Sequence, residues 1–155
     1  MPTPIDEILA IADPTRFAIA LSNHVYGREG PGGFAGLSEA EQTVYCIDGL
    51  EREVNNGGFA QFFLNSAGDQ SRETVAALRR VGAEHTARLV ERAMVPFGPE
   101  GPSPNPDERA AQLERIGDGA AALWYELDDA FFEYKDDLTG LLRSYVRSRR
   151  DQFAT

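Results

Sequence analysis

The chain has 155 residues, of which 42% are hydrophobic and 26% are charged, and this composition is typical of one soluble globular domain. Its one cysteine, Cys46, excludes an intrachain disulfide and a cysteine-based zinc cluster. Acidic residues outnumber basic ones by 25 to 15, and the formal net charge is −10. This charge disfavours direct binding to nucleic acid, because phosphates would meet like charge. No apolar stretch is long enough for a membrane span or a leader, so we expect no membrane partner and a cytoplasmic location.

Helix signals begin near the N-terminus of the chain. Residues 4–12 predict a short helix, and Asp13 before a proline predicts the cap of a second helix that ends near residue 26. Residues 27–36 contain five glycines and predict a surface loop. A capping box at Ser38 then predicts a helix over 39–54. The first third of the chain is therefore expected to be helical around one glycine-rich loop.

The remainder of the chain shows the same helical patterns. The predicted helices cover 71–81, 83–95, 106–116, 120–134 and 136–151. No hairpin signal interrupts them. We therefore predict an all-α fold, a compact array of about seven to nine helices with almost no sheet.

One domain over residues 1–155 is the predicted organisation. Residues 1–36 form its N-terminal helices and glycine-rich loop, and 37–150 form its main region. Residues 96–106 hold five of the nine prolines and predict a long loop. Because apolar helix faces occur on both sides of this loop, we expect one shared core.

Acidic residues are concentrated in two helical segments. Residues 38–56 carry five acids against one base, and residues 107–137 carry ten against three. Because a helix advances by about 100° per residue, Glu126, Asp129 and Glu133 lie on the same side of the helix. Neighbours among them are about 4.5–6 Å apart along the helix axis, which is similar to the axial rise of about 3.4 Å between phosphates of one DNA strand. We predict that a basic partner binds an acidic row, which comprises Glu126, Asp128, Asp129, Glu133, Asp136 and Asp137.

Other residues of these segments have plainer interpretations. An acidic helix side is most often simply solvated, although Tyr125 and Phe132 border the row. A secondary acidic patch comprises Glu41, Asp48 and Glu51, where Asp48 can pair with Arg52. The apolar side of helix 120–134 is predicted to comprise Leu123, Leu127, Ala130, Phe131 and Tyr134. The C-terminal arginines are expected to complement the helix dipole and pair with the preceding acidic helix, and they comprise Arg143, Arg147, Arg149 and Arg150.

Motifs for catalysis or metal binding are absent from the sequence. Neither His24 nor His85 has the spacing of a metal-ligand set, and Cys46 has no histidine or basic neighbour in sequence. The sequence contains neither a phosphate-binding loop nor a nucleophile elbow. We therefore expect no enzymatic activity, no catalytic residue, no cofactor and no metal site.

The most unusual segment lies at the centre of the chain and combines amides, two glycines and three phenylalanines. One of the glycines can take the left-handed conformation that ends a helix, and the phenylalanines at i, i+3 and i+4 are spaced as a core anchor. The amides can satisfy backbone groups at such a helix corner, or they can line a ligand site. This structural signature comprises Asn55, Asn56, Gly57, Gly58, Phe59, Gln61, Phe62, Phe63 and Asn65.

The signature, together with Glu41-Gln42, Ala77-Leu78, Val81-Gly82-Ala83 and Asp136-Asp137-Leu138, resembles the bacterial DNA-mimic protein family, long carried as a domain of unknown function. The matching residues extend over about 37–146. The resemblance implies an all-helical fold, often dimeric. It also implies an acidic surface that imitates duplex DNA and occupies the DNA-binding face of a transcription factor.

Three functions follow as hypotheses. The first is an acidic protein-interaction module, a DNA mimic whose partner is a basic DNA-binding protein. The second is a small-molecule-binding or enzymatic domain that uses the amide-rich corner with Glu53 or His85. The third is a purely structural or oligomeric role, with a homodimer formed through exposed aromatics such as Tyr125 and Phe132.

Overall fold

The structure is a computed structural model, and it describes residue 1 and residues 3–153. Within these residues the chain forms eight α-helices and no strand. The prediction of an all-α fold with seven to nine helices is therefore confirmed. The helices are α1 Pro4–Leu9, α2 Pro14–Arg28, α3 Glu39–Leu64, α4 Ser71–Arg80, α5 Glu84–Met94, α6 Pro106–Ile116, α7 Ala121–Phe132 and α8 Leu138–Ser148.

Side-chain caps determine where several of these helices begin. Asp13 accepts a hydrogen bond from the backbone N–H of Arg16 at the start of α2. Ser38 and Glu41 form a reciprocal capping box at the start of α3. Such caps satisfy backbone donors that have no partner inside the helix, and each contributes about 1 kcal/mol. The residues that predicted these helix starts therefore form the capping hydrogen bonds expected of them.

Helix α3 is the central element, because α2, α4, α6 and α7 all pack against it. Its three signature phenylalanines are fully buried, and the ring of Phe63 lies 4.8 Å from that of Phe97 and 5.5 Å from that of Trp124. Phe97 belongs to the proline-rich segment, which begins with a short 3-10 turn, Val95–Phe97. The start of the predicted loop 96–106 is thus anchored in the core.

The predicted corner at the glycines, where one helical segment ends and another begins, is confirmed, and the first segment runs two residues beyond the predicted end at 54. Helix α3 continues to Leu64 with a kink at Gly57 and Gly58, where the φ angle of Gly58 is +72°. The segment beyond the kink resumes helical geometry at once, so the corner joins two helical segments, which we label together as α3. Periodicity alone does not distinguish a kinked helix from two helices, because the apolar spacing continues through both.

A buried arginine joins α6 to the end of α3, and the sequence gives no signal for it. Arg109 is 1% exposed, and its guanidinium donates to the carbonyl oxygens of Phe63, Asn65 and Ser103 at 2.7, 3.1 and 2.8 Å. It also pairs with Asp69 at 2.7 Å. Arg109 therefore satisfies C-terminal carbonyls of α3 that have no helical partner.

Candidate acidic interaction surface

Three members of the acidic row project from α7 into solvent. The side chains of Glu126 and Glu133 are 66% and 60% exposed, and Asp129 is also exposed. The nearest cations are Arg92, 3.4 Å from Glu126, and Lys135, 3.9 Å from Glu133. Asp129 has neither a hydrogen bond nor an ion pair among the described residues. These three residues, the α7 carboxylates, are therefore the part of the row that is open to a partner.

The other three members of the acidic row cap helices within the fold. Asp128 accepts the backbone N–H of Phe59 at 2.8 Å, just after the kink of α3, and its pKa is raised by burial. Asp136 accepts both the backbone N–H and the hydroxyl of Thr86 at 2.8 Å. Asp137 is the N-cap residue of α8. Spacing alone gave no sign of these roles, because two of the three partners lie at least 50 residues away in sequence.

The secondary acidic patch faces the interior of the molecule. Glu41 is 2% exposed and forms an ion pair with Arg28 in addition to its capping box. Asp48 accepts hydrogen bonds from Ser22 and Tyr26, at 2.8 and 2.6 Å, and pairs with Arg52 as its spacing predicts. These carboxylates fix α2 against α3, so they do not form an exposed patch.

Glu51, the third member of this patch, belongs to a cluster with the turn after α7. The hydroxyl of Tyr134 donates to Glu51 at 3.1 Å and accepts from the side-chain amide of Asn55 at 2.8 Å. Burial raises the pKa of Glu51 to about 7. Tyr134 is 39% exposed, and its assignment to the apolar side of α7 is therefore wrong. Its hydroxyl forms hydrogen bonds with polar side chains of α3 and does not enter the core.

The amides of the signature converge on one carboxylate. Gln61 and Asn65 both donate to Oε2 of Glu53 at 2.8 Å, and Asn56 donates to Gln61 at 3.1 Å. Glu53 itself is 9% exposed. We expected these amides to form hydrogen bonds with the backbone, but Gln61 and Asn65 instead donate to the buried side chain of Glu53. Each of these three amides therefore already donates a hydrogen bond inside the fold.

The remaining candidates for reactive chemistry lie apart from one another. Burial raises the pKa of the Cys46 thiol to about 12, which keeps it in the unreactive protonated form at neutral pH. The pKa of His24 is lowered by burial. No group of three histidine, cysteine or acidic side chains suited to a metal ion occurs in residues 1 and 3–153. None of the helices there combines the length and the apolar character of a membrane span.

The C-terminal arginines do not pair with α7 in the way expected from the sequence. Arg143 donates to the carbonyl of Leu9 at 2.9 Å and stacks on the ring of Phe17 at 4.0 Å. Arg150 pairs with Asp6 at 2.9 Å. This cationic end of the chain therefore secures α1 and α2, because the topology brings them beside α8, and the cations that do pair with the α7 carboxylates are the exposed Arg92 and Lys135.

Comparison with models of protein families assigns the chain to a family. The family model described as DMP19-like protein matches residues 35–149, which is most of the chain. The chain belongs to the DMP19-like family. The DNA-mimic family assignment made from the signature is thereby confirmed. No curated protein and no solved structure matched the chain.

Proposed function

We propose that this DMP19-like protein is a non-enzymatic, acidic interaction module, a DNA mimic that occupies the nucleic-acid-binding face of a basic DNA-binding protein such as a transcription factor. The observation that carries the proposal is the display of Glu126, Asp129 and Glu133 on one exposed side of α7. Family membership supports it. A basic protein surface would meet these carboxylates where it otherwise meets phosphates.

Electrostatics supports a role in binding for these three residues. Each pair of like charges three or four residues apart on a helix costs a few tenths of a kcal/mol. The ion pairs Arg92–Glu126 and Lys135–Glu133, at 3.4 and 3.9 Å, compensate weakly because all four side chains are more than half exposed. None of the side chains of Glu126, Asp129 and Glu133 caps a helix in the described residues, although Glu133 is the C-cap residue of α7 through its backbone. A basic partner would relieve their repulsion, so a favourable binding free energy follows from the arrangement.

The proposal is tested by reversing the α7 carboxylates. The triple variant Glu126→Lys, Asp129→Lys, Glu133→Lys is compared with a control, Glu100→Lys, Glu114→Lys, Asp118→Lys, whose three acids are exposed and have no partner among the described residues. Each reversal adds two positive charges, so both variants have a net charge of −4 instead of −10. Each protein is immobilised and used to capture partners from lysate of the source organism at low and high salt.

We expect the wild type and the control to retain one or more basic DNA-binding proteins at low salt and to lose them steeply as salt rises. The α7 variant should retain at least tenfold less, because opposed charges become like charges at the interface. Equal retention by the α7 variant and the control, or retention that does not change with salt, would contradict the proposal.

A further inference from the structure

Exposed aromatic side chains coincide with the α7 carboxylates. Among the described residues, the aromatic side chains in the exposed class are Tyr125, Phe132 and Tyr134, and their exposed fractions are 71%, 48% and 39%. The first two lie within α7 itself. Burying such rings is favourable, and a surface that exposes them beside exposed acids is suited to a partner.

The order of side chains around α7 places rings and acids side by side. With about 100° per residue, five exposed residues occupy an arc of roughly 120°. In order around the helix axis they are Phe132, Tyr125, Asp129, Glu133 and Glu126, and we call this arc the α7 face. Its two rings form one edge, its glutamates form the other, and Asp129 lies between them. Asp129 is four residues from Tyr125 and three from Phe132, both within side-chain reach on a helix.

The same combination of groups already binds an arginine elsewhere in the molecule. Nη1 of Arg52 donates to Asp48 at 2.8 Å and to the hydroxyl of Tyr26 at 2.6 Å. The guanidinium carbon lies 5.7 Å from the centre of the Tyr26 ring. A carboxylate and an aromatic ring thus hold one guanidinium jointly. On the α7 face Arg92 contacts Glu126 at 3.4 Å, whereas Asp129 and the two rings contact no guanidinium among the described residues.

We propose that the α7 face selects arginine over lysine, so that its partner presents an arginine-rich surface. A planar guanidinium can stack on Tyr125 or Phe132 while it donates to Asp129, whereas a lysine ammonium is a strongly hydrated point charge that gains less from a ring. This inference rests on the proposed function, and it names the chemistry of the partner. It also distinguishes the face from a plain array of phosphates.

A second copy of the chain fits this face less well. Symmetric contact between two α7 faces would bring acids against acids, because both copies present the same residues. The charge of the face is complementary to an arginine-bearing surface and not to itself. Self-association through the face is nevertheless measured in the test below.

The test uses two peptides of equal charge, nona-arginine and nona-lysine, bound to the full chain at two salt concentrations. The ring variant is Tyr125→Leu, Phe132→Leu, which keeps apolar side chains and removes the aromatic faces. Its control is Ile19→Ala, an exposed apolar residue on α2 that is 56% exposed. The charge-reversed α7 variant described above is measured in parallel, and sedimentation gives the oligomeric state of every protein.

We expect the wild type and Ile19→Ala to bind nona-arginine about fivefold more tightly than nona-lysine. The ring variant should bind both peptides with nearly equal affinity, and the charge-reversed variant should bind neither. A preference for arginine that survives in the ring variant would overturn this inference and leave the proposed function intact. So would a wild-type dimer that the ring variant loses, since a second copy would then cover the face. Peptide binding that the charge-reversed variant retains would overturn both proposals.

Discussion

At the end of α7, the backbone of Tyr134 has a φ angle of +46°, a conformation that side chains other than glycine rarely adopt. The phenol compensates for this local cost by bridging Glu51 and Asn55 on α3. Tyr134 directly follows Glu133, so the bridge fixes the chain where the α7 carboxylates end. The Tyr134 side chain therefore fixes the backbone directly after Glu133, the last of the α7 carboxylates.

The pKa of Glu51, raised to about 7 by burial, gives stability a specific pH dependence. A carboxyl group whose pKa is higher in the folded protein than in the unfolded chain holds its proton more tightly when folded. Its contribution to stability is therefore complete below the unfolded value of about 4.3 and is lost as the pH rises through 7. The neighbouring Asp48 acts in the same direction.

We predict that the free energy of unfolding of the wild type falls by about 1–3 kcal/mol between pH 5 and pH 8, relative to that of Glu51→Gln. Glutamine keeps the shape and an acceptor for the Tyr134 hydroxyl but does not titrate. Urea denaturation of both proteins across this range checks the prediction, and other titrating groups cancel in the comparison. Parallel profiles for the two proteins would show that Glu51 is not perturbed.

Residue types and spacing predicted which carboxylates of α7 face solvent, but they did not predict which acidic side chains accept hydrogen bonds within the fold. Glu126, Asp129 and Glu133 follow from helical geometry, since a helix with one buried side exposes the opposite one. Asp128 and Asp136 could not be assigned in this way, because their hydrogen-bond partners, Phe59 and Thr86, are brought to them only by the tertiary packing.

At the scale of elements, the kink in α3 is the feature on which the position of α7 depends. Gly58 takes a conformation open only to glycine, and the backbone N–H that follows it, that of Phe59, is free to donate to a capping side chain. Asp128 supplies this cap from α7. The signature of amides, glycines and phenylalanines therefore couples the central helix to the helix that carries the acidic surface.

We predict that Gly58→Ala lowers the free energy of unfolding by about 3 kcal/mol or more. The new Cβ would be strained at a φ of +72° and would lie 2.2 Å from a carboxylate oxygen of Asp128. Gly27→Ala is the matched control, because this helical glycine has no neighbour within 4 Å of the added Cβ and should change stability by at most about 1 kcal/mol, in the stabilising direction. Similar stability for both variants would contradict the assigned role of the kink.

Capping residues and periodicity predicted most of the helices, whereas the side-chain contacts that join one helix to another could not be predicted. The capping box at Ser38 gave the start of α3 correctly, and the glycine pair, a common terminator, marked the corner, but the cap that Asp128 of α7 supplies there could not be predicted. Arg109 shows the same limit: on an exposed helix its charge would be unremarkable, and only the packing of α6 makes it a buried donor to α3.

At the scale of the whole molecule, the net charge of −10 is divided unequally between scaffold and surface. Buried or half-buried acids such as Glu41, Glu53 and Asp48 act as caps and ion-pair partners inside the fold. Two of the C-terminal arginines, Arg143 and Arg150, contact α1. What remains on α7 is an acidic, partly aromatic face, and the proposed function depends on this residual surface.

If the α7 face imitates DNA, the protein and duplex DNA compete for the same surface of the partner. A basic protein captured through the α7 face is titrated with labelled duplex DNA in the presence of increasing amounts of the wild type or of the charge-reversed α7 variant. Mimicry predicts that the wild type displaces the DNA in proportion to its own affinity and that the variant does not. A ternary complex, in which the captured protein holds the DNA and the wild-type chain together, would contradict the account.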